Sequence, residues 1–223
     1  MYMTTMRNSV IERFEQIPYF TIASYKQISG ANESQSQLVR ETLSRWVKAG
    51  HLIRLKKGIY MTRIFYDRHQ GDASFAPTVS AILLPQSYVS LEYVLQRSGV
   101  LTEVTYPVTG ITPKNTRKIE NPIGTFTYRH IKLPLYNGFS QENYYGVVYN
   151  LASVSKALFD YLYYRPLPLS VRTQRYDLAG DLRLNIGDYS PELRDEFTEF
   201  VTDSGSRKMS FVLDNLQRTI WRH

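Results

Sequence analysis

The sequence predicts an α+β protein, in which a small N-terminal domain of helices and one β-hairpin precedes a larger domain of mixed helices and strands. Residues 34–60 contain an amphipathic helical pattern, a glycine, and two short β-rich runs around a Lys-Gly pair. Residues 124–131 alternate between apolar and polar side chains, as a strand does, and residues 153–165 carry apolar side chains at helical spacing. Because both periodicities recur along the chain, we expect both kinds of element.

A loss of periodicity between Ile64 and Pro77 marks the predicted domain boundary. This stretch collects Gly, Asp, Ser and Pro, which are typical of turns and linkers. We place the boundary near residues 67–76, so that the first domain covers residues 1–67 and the second covers residues 77–223.

Positive charge is concentrated in the first third of the chain. The formal net charge is +7; residues 1–70 hold 11 Lys and Arg against 5 Asp and Glu, and the remainder holds 16 against 15. A basic module joined to a neutral one is typical of proteins that bind nucleic acid. A solvated basic face without a partner is the alternative, and charge alone does not decide between them.

Composition excludes several classes of protein. The chain has 223 residues and no cysteine, which excludes disulfides, thiolate nucleophiles and cysteine-ligated zinc. No apolar run approaches the roughly 20 residues that a membrane-spanning helix needs, and the first residues lack the apolar core of a signal peptide. We therefore expect a cytoplasmic protein that has no membrane partner.

Three helices are predicted in the first domain. The first covers about residues 6–17 and is ended by Pro18, and Thr21 can cap a second helix that continues to Ile28 before a turn. Ser34 and Gln37 fit a capping box at the start of the third helix, which Gly50 ends. The apolar stripe of this third helix consists of Val39, Leu43, Trp46 and Val47.

A basic hairpin follows the third helix. Residues 51–56 are predicted as one strand, Lys57 and Gly58 as a two-residue loop, and residues 59–61 as the returning strand. Three helices followed by such a hairpin occur in the order of elements of a winged helix-turn-helix. The last helix of that motif enters the DNA major groove. Winged helices also dock proteins, and that alternative stays open.

The candidate DNA-binding residues lie on the polar face of the third helix and on the hairpin. Gln35, Gln37 and Arg40 are placed where Gln and Arg can bond base edges. The alternative is that Gln37 only caps the helix and Gln35 only faces water. Basic residues on a hairpin suit phosphates. The full set is Ser34, Gln35, Ser36, Gln37, Arg40 and Ser44 from the helix, and Arg54, Lys56, Lys57 and Arg63 from the hairpin.

No catalytic or metal-binding motif is found in the sequence. No Asp or Glu is followed two positions later by Lys, which is the spacing of common metal-dependent nucleases. The four histidines are scattered, and we expect His69 to be solvated in the linker. Lys156 and Asp160 stand four residues apart and are expected to form a surface ion pair. We therefore expect no enzymatic activity, no cofactor and no metal.

Two other functions remain open. A nuclease or modification enzyme targeted by the winged helix would need a carboxylate cluster assembled from distant residues such as Glu92, Glu103 and Asp160. A ligand-responsive transcription factor would need an apolar pocket with a few polar groups in the second domain.

The second domain is predicted to mix short strands with longer helices. The strands are Tyr88 to Ser90, leading into a helix that Gly99 ends, and then residues 103–108, 124–131 and 144–149. Further helices follow Ser153, begin at Pro191 after Ser190, and cover residues 206–221.

Several blocks of this sequence resemble the AbiEi-type antitoxins of bacterial abortive-infection toxin–antitoxin systems. GHLIRLKKGIY is similar to the wing of that family, YVSLEYVLQRSGVLTEVTYPVTG to its next block, GTFTYRHI to a following strand, and VYNLASVSKALFDYLYYRP to a late helix. These blocks lie within about residues 20–165. Ser155 replaces the acid that often precedes the lysine of the late helix, so any role of that acid is absent here.

The resemblance implies a two-part protein that is not an enzyme. Its winged helix would bind operator repeats in double-stranded DNA and repress its own operon. Its C-terminal domain would counteract a cognate nucleotidyltransferase-type toxin, either directly or without a stable complex. No small-molecule substrate is implied.

Overall fold

The computed structural model describes residues 10–102, 107–172 and 176–222, and its helices and mixed sheet make it an α+β protein, as the sequence predicts. Two compact units are present. Unit 1 consists of Met1–Pro85, Ile119–Thr125 and Asn143–Tyr149, and unit 2 of Gln86–Lys118, Phe126–Glu142 and Asn150–His223. Within the described ranges, no helix is long and apolar enough to cross a membrane.

The described residues of unit 1 form a three-stranded antiparallel sheet and four helices, which follow a short helical stretch at residues 10–12 in the first predicted helix. The helices are α1 Ile22–Ser29, α2 Ser36–Lys48, α3 Arg63–His69 and α4 Phe75–Leu83, with a 3₁₀ turn at Glu33–Gln35. The strands are β1 Phe20–Thr21, β2 Leu52–Lys56 and β3 Ile59–Thr62, in the order β1-β3-β2. Helix α2 and the β2–β3 hairpin therefore occur where the sequence predicts them.

An aromatic and aliphatic core joins α1, α2 and the sheet. The rings of Phe14 and Phe20 stack with centroids 4.2 Å apart, and the edge of Trp46 meets Tyr25 at 5.8 Å. Burial of this apolar surface is the main contribution to the stability of these elements. The buried members are Phe14, Phe20, Tyr25, Val39, Leu43, Leu52 and Tyr60.

The start of α2 differs from the prediction, because Ser34 and Gln37 do not form a capping box. The extended residue before the turn is Asn32, and its N–H donates to Oε1 of Gln35 at 3.0 Å. Ser34 Oγ donates to the Asn32 side chain at 2.6 Å, and Gln37 donates to Glu41 at 2.8 Å. The capping box is therefore formed by Asn32 and Gln35, each two residues before the residue that the sequence predicts for it.

Residues predicted as a linker are largely helical. Thr62 accepts a hydrogen bond from the Phe65 N–H at 3.1 Å and caps α3. In α4, eight of the nine residues are buried, so this helix has no polar face from which a helical period could be recognised. Unit 1 includes both of these helices and continues to Pro85.

Two later segments complete unit 1. In the first, Asn121 Nδ2 donates to the Leu55 carbonyl at 3.2 Å. In the second, the hydroxyl of Tyr144 donates to Asp72, and the hydroxyls of Tyr149 and Ser74 lie 3.0 Å apart. Unit 1 is therefore discontinuous in sequence.

His69 is held among aromatic rings and is not solvated as predicted. Its ring centroid lies 4.4 Å from that of Phe65 and 4.9 Å from that of Tyr145. Its Nδ1 lies 2.9 Å from Oδ2 of Asp72. The hydrogen bonds from Tyr144 and His69 hold the pKa of Asp72 below its usual value.

The second sheet is mixed and has six strands, in the order β6-β7-β5-β4-β9-β8. Strand β5 pairs in parallel with β7 and antiparallel with β4, and β4 pairs in parallel with β9. The strands are β4 Tyr88–Val89, β5 Val108–Thr112, β6 Arg117–Asn121, β7 Gly124–His130, β8 Phe139–Tyr144 and β9 Val147–Ala152.

The single strand predicted at residues 144–149 is divided: a two-residue turn at Tyr145 and Gly146 separates the end of one strand from the start of the next. Tyr145 and Gly146 have φ values of 49° and 78°, and two successive positive φ values are typical of a type I′ hairpin turn. Tyr144 therefore ends β8 and Val147 begins β9. Of the strand predicted at residues 103–108, the first four residues lie outside the described ranges, and Val108 begins β5.

Helices of unit 2 begin after Ser153 and Ser190, as the sequence predicts, whereas the short helix Leu178–Asp181 is not among those predicted. Ser153 Oγ accepts the N–H of Lys156 at 3.0 Å and caps α6, and Ser190 precedes Pro191 at the start of α8. The described helices are α5 Glu92–Arg97, α6 Val154–Tyr164, α7 Leu178–Asp181, α8 Pro191–Ser204 and α9 Arg207–Thr219, with 3₁₀ turns at Leu133–Leu135 and Leu169–Arg172.

Candidate functional site

Helix α2 presents a polar face to solvent. Gln37, Arg40 and Ser44 are exposed at spacings of three and four residues, so they follow one side of the helix. Val39 and Leu43 are buried on the opposite side, at 5% and 0% exposure. The apolar stripe anchors α2 in unit 1 and leaves the polar face available to a partner.

Two cations on α2 were not among the predicted DNA-binding residues. Arg45 and Lys48 are both exposed, and Lys48 follows Ser44 by four residues. Both lie in the last turn, where a cation also interacts favourably with the helix dipole. The sequence places Lys48 on the same polar face as Arg40 and Ser44, so helical spacing could have added it to the predicted set.

The predicted residues at the start of α2 make local hydrogen bonds. Ser34 and Gln35 are exposed and bond to Asn32 within the turn. Ser36 is half-buried; its Oγ accepts from Lys26 Nζ at 2.6 Å and donates to the Glu33 carbonyl at 2.7 Å. The Ser36 hydroxyl thus holds the turn together.

The β2–β3 hairpin carries two exposed cations, Arg54 and Lys57. Lys57 stands in the two-residue loop beside Gly58, whose φ of 80° fits the predicted turn. Arg63, which was assigned to the hairpin, is the first residue of α3, and its Nε lies 2.8 Å from Oδ1 of Asp67.

Lys56 does not project from the hairpin as predicted. Its Nζ donates to the carbonyls of Ile82 and Leu83 at 2.8 and 2.9 Å, at the C-terminus of α4. Burial lowers the pKa of the Lys56 ammonium. A lysine that donates to the last carbonyls of a helix stabilises that helix end, so Lys56 serves unit 1 internally.

Unit 2 contains a buried polar network where the sequence predicts a surface ion pair. Lys156 Nζ lies 3.1 Å from Oδ1 of Asp160, and the two side chains are 1% and 0% exposed. The prediction of a surface pair is wrong, because α6 is buried from Ser155 to Leu162. The four-residue spacing is the same for a buried pair as for an exposed one.

Each charge of the pair has further hydrogen-bond partners. Tyr88 and Ser90 donate their hydroxyls to Oδ2 of Asp160 at 3.0 and 2.7 Å. Lys156 Nζ donates to the Leu135 carbonyl at 3.0 Å. Burial raises the pKa of Asp160 and lowers that of Lys156, and their mutual attraction opposes both shifts.

The side chain of Lys156 requires a glycine beside it. Gly138 has a φ of 73°, and a Cβ at this position would lie 2.9 Å from Lys156 Cδ and 2.6 Å from the Phe200 ring. The Lys156 ammonium lies 5.2 Å from the centroid of the same ring. Gly138, Lys156 and Phe200 therefore pack as one set.

A cavity of about 790 Å³ opens on unit 2. Its lining is mixed, with threonines and tyrosines, three cations and one carboxylate. The lining residues are Glu92, Pro107, Thr109, Thr116, Arg117, Lys118, Thr127, Tyr128, Arg129 and Tyr164.

The carboxylates considered for a nuclease do not form a site in the described part of the chain. Asp160 is enclosed by its partners, Glu92 lines the cavity, and Glu103 lies outside the described ranges. No group of three or more His, Asp or Glu that could hold a metal ion occurs among the residues that the structure describes.

No protein-family model matches this chain, and no curated protein matches it.

Proposed function

We propose that this protein is a DNA-binding antitoxin and autorepressor whose unit 1 is a winged helix-turn-helix. The observation that carries the DNA-binding proposal is the exposed polar face of α2, followed directly by a hairpin with two exposed cations. The α2 face would enter the major groove and the hairpin would follow the phosphate backbone.

The exposure of each residue indicates which contact with DNA we propose for it. Arg40 is the leading candidate for a base contact, because it is exposed and has the donors to bond guanine in bidentate fashion. Gln37 and Ser44 lie beside it on the same face. Arg54 and Lys57 would contact phosphates.

The antitoxin part of the proposal rests on the blocks of sequence that resemble AbiEi-type antitoxins. Most of these blocks fall in unit 2, in α5, β5, β7 and α6. We propose that unit 2 is needed to counteract a nucleotidyltransferase-type toxin and that the protein itself is not an enzyme.

The test uses point variants of the full chain. Deleting residues 1–67 would also remove Leu55, the partner of Asn121 within unit 1, so loss of binding would not identify a DNA contact. We expect Arg40→Ala to weaken binding to the protein's own promoter fragment by about 1–3 kcal/mol, measured by fluorescence anisotropy.

The matched control is Arg68→Ala, which removes the same charge from an exposed position on α3. If Arg68→Ala and Arg40→Ala weaken promoter binding equally, α2 has no specific role and the proposal fails. Toxin co-expression tests the second part: Arg40→Ala should still protect cells, because the α2 face is assigned only to DNA.

A ligand-responsive transcription factor is a second candidate, and the cavity of unit 2 is the observation that favours it. Its volume of about 790 Å³ falls within the range of small-molecule sites. In that case, a small molecule rather than a toxin would control promoter binding.

A further inference from the structure

Three neighbouring cavities of unit 2 form one cleft around Glu92. The largest, of about 790 Å³, shares Glu92, Arg129 and Tyr164 with a second cavity of about 310 Å³. A third, of about 470 Å³, shares Glu92, Tyr161 and Arg165 with the second. The combined space suits a ligand with several functional groups.

The lining of the largest cavity carries more positive than negative charge. Its lining has three cations, Arg117, Lys118 and Arg129, and a single carboxylate, Glu92. Arg117 and Arg129 are exposed and lie on β6 and β7, which are neighbours in the sheet. Arginine side chains presented in this way can bind phosphate oxygens with two parallel hydrogen bonds.

The aromatic ring of Tyr164 lies beside these cations. The Arg129 guanidinium lies 5.5 Å from the centroid of the Tyr164 ring, and the Tyr164 hydroxyl donates to the carbonyl of His130. Tyr164 also lies on α6, which the buried pair of Lys156 and Asp160 anchors. The ring is therefore held in place with the Arg129 guanidinium over one face, and a planar ligand group would stack on the other face.

Glu92 is placed in the cleft by a strained backbone. Leu91 has a φ of 61° and a ψ of −142°, an unusual conformation for a residue with a side chain, and is only 2% exposed. Glu92 follows at the start of α5 and lines all three cavities. Within the described residues, its carboxylate makes no hydrogen bond or ion pair and can accept from a ligand.

We propose that this cleft is a nucleotide-binding site. The phosphates would bind Arg117, Lys118 and Arg129, and the base would stack on Tyr164. Glu92 would accept hydrogen bonds from the sugar hydroxyls or from amino groups of the base. This site does not depend on DNA binding by unit 1.

Isothermal titration calorimetry of the full-length protein tests the proposal. The ligands are the 5′-mono- and triphosphates of the four common ribonucleosides, the free nucleosides, and inorganic pyrophosphate. At least one nucleotide should bind with a Kd below about 1 mM. Its nucleoside and pyrophosphate should each bind at least about tenfold more weakly, because each lacks one of the recognised groups.

Two variants and one control identify the site. Arg117→Gln should weaken the nucleotide about tenfold and leave the nucleoside unchanged, since only a phosphate contact is lost. Glu92→Gln should weaken the nucleotide and its nucleoside alike, since Glu92 contacts the sugar or the base and not the phosphates. Arg97→Gln removes an exposed cation from α5 outside the cleft lining and should have no effect; thermal unfolding confirms that each variant is folded.

Several results would overturn the proposal. These are no nucleotide binding at about 1 mM, pyrophosphate binding as tightly as every nucleotide, or an equal effect of Arg117→Gln and Arg97→Gln. Binding of single-stranded oligonucleotides without binding of any mononucleotide would also overturn it. Promoter binding is measured separately, so failure of the DNA-binding proposal would not be mistaken for any of these results.

Discussion

Units 1 and 2 each contain an ion pair at four-residue spacing on a helix, and the two pairs have opposite environments. Arg63 and Asp67 in unit 1 have side chains 54% and 50% exposed, whereas Lys156 and Asp160 in unit 2 are 1% and 0% exposed. An exposed pair contributes little to stability, because water already solvates both charges. A buried pair is tied to the fold, because either charge alone would be buried without a counter-charge. Spacing therefore does not determine the role of a pair, and burial does.

The largest expected effect comes from breaking the buried pair. Lys156→Ala should lower the free energy of unfolding by about 3–5 kcal/mol, because Asp160 would keep a buried charge without its cation. Chemical denaturation followed by circular dichroism measures this change. Arg63→Ala is the control and should stay within about 0.5 kcal/mol of the parent protein; a similar cost for the two variants would remove the contrast between the pairs.

Removing both buried charges together should cost much less than removing one. In Lys156→Met with Asp160→Asn, the amide oxygen can still accept from Tyr88 and Ser90, and no unpaired charge remains. We expect the double variant to be at least about 2 kcal/mol more stable than Lys156→Ala. Denaturation midpoints and slopes compare the variants, and a double variant as unstable as the single one would show that the charges themselves are required.

The adjacent residues Lys56 and Lys57 allow the same comparison within unit 1, between a charge bound inside the fold and an exposed charge. Lys56→Met should cost about 1.5–3 kcal/mol of stability, because two carbonyls of α4 lose a charged donor. Its affinity for random DNA should not change. Lys57→Met should leave stability unchanged, weaken random and promoter DNA alike, and reduce the salt slope by about 1. Denaturation and anisotropy at several salt concentrations separate the two lysines, and a reversed pattern would contradict their assignment.

The smallest effect concerns a single carboxyl group. Because Tyr144 and His69 lower the pKa of Asp72 in the folded protein, its contribution to stability is present above its ordinary value of 3.8 and is lost as the pH falls through the lower folded value. Tyr144→Phe should raise the pKa of Asp72 towards 3.8. Carboxyl titration by NMR measures the shift, and an unchanged pKa would mean that this hydroxyl does not stabilise the carboxylate.

Much of the fold could be predicted from local patterns. Helices α2, α6, α8 and α9 have regular apolar spacing, and the caps Thr21, Ser153 and Ser190 act where the sequence places them. Helix α4 could not be found in this way, because it is buried on nearly every side and has no polar face. The turn at Tyr145 was missed because tyrosine is not typical of a residue with positive φ.

The residues of the candidate sites also fall into two groups, those that local patterns predict and those that depend on distant contacts. The exposure of Gln37, Arg40 and Ser44 follows from the helical period alone. The position of the Lys56 side chain depends on the carbonyls of Ile82 and Leu83, which lie 26 and 27 residues further along the chain. The burial of Lys156 depends on the elements packed around α6, and local spacing does not report those contacts.

The discontinuity of unit 1 has a consequence for how the protein is made. Residues up to Pro85 leave the ribosome first, but the segment Asn143–Tyr149 that completes their unit follows much later in the chain. At roughly 5–20 residues per second, the delay is on the order of seconds. During that interval Phe65 and His69 lack the Tyr145 ring that packs against both in the finished protein. The residues up to Pro85 are thus synthesised well before Asn143–Tyr149, and unit 1 can be completed only after that later segment has been translated.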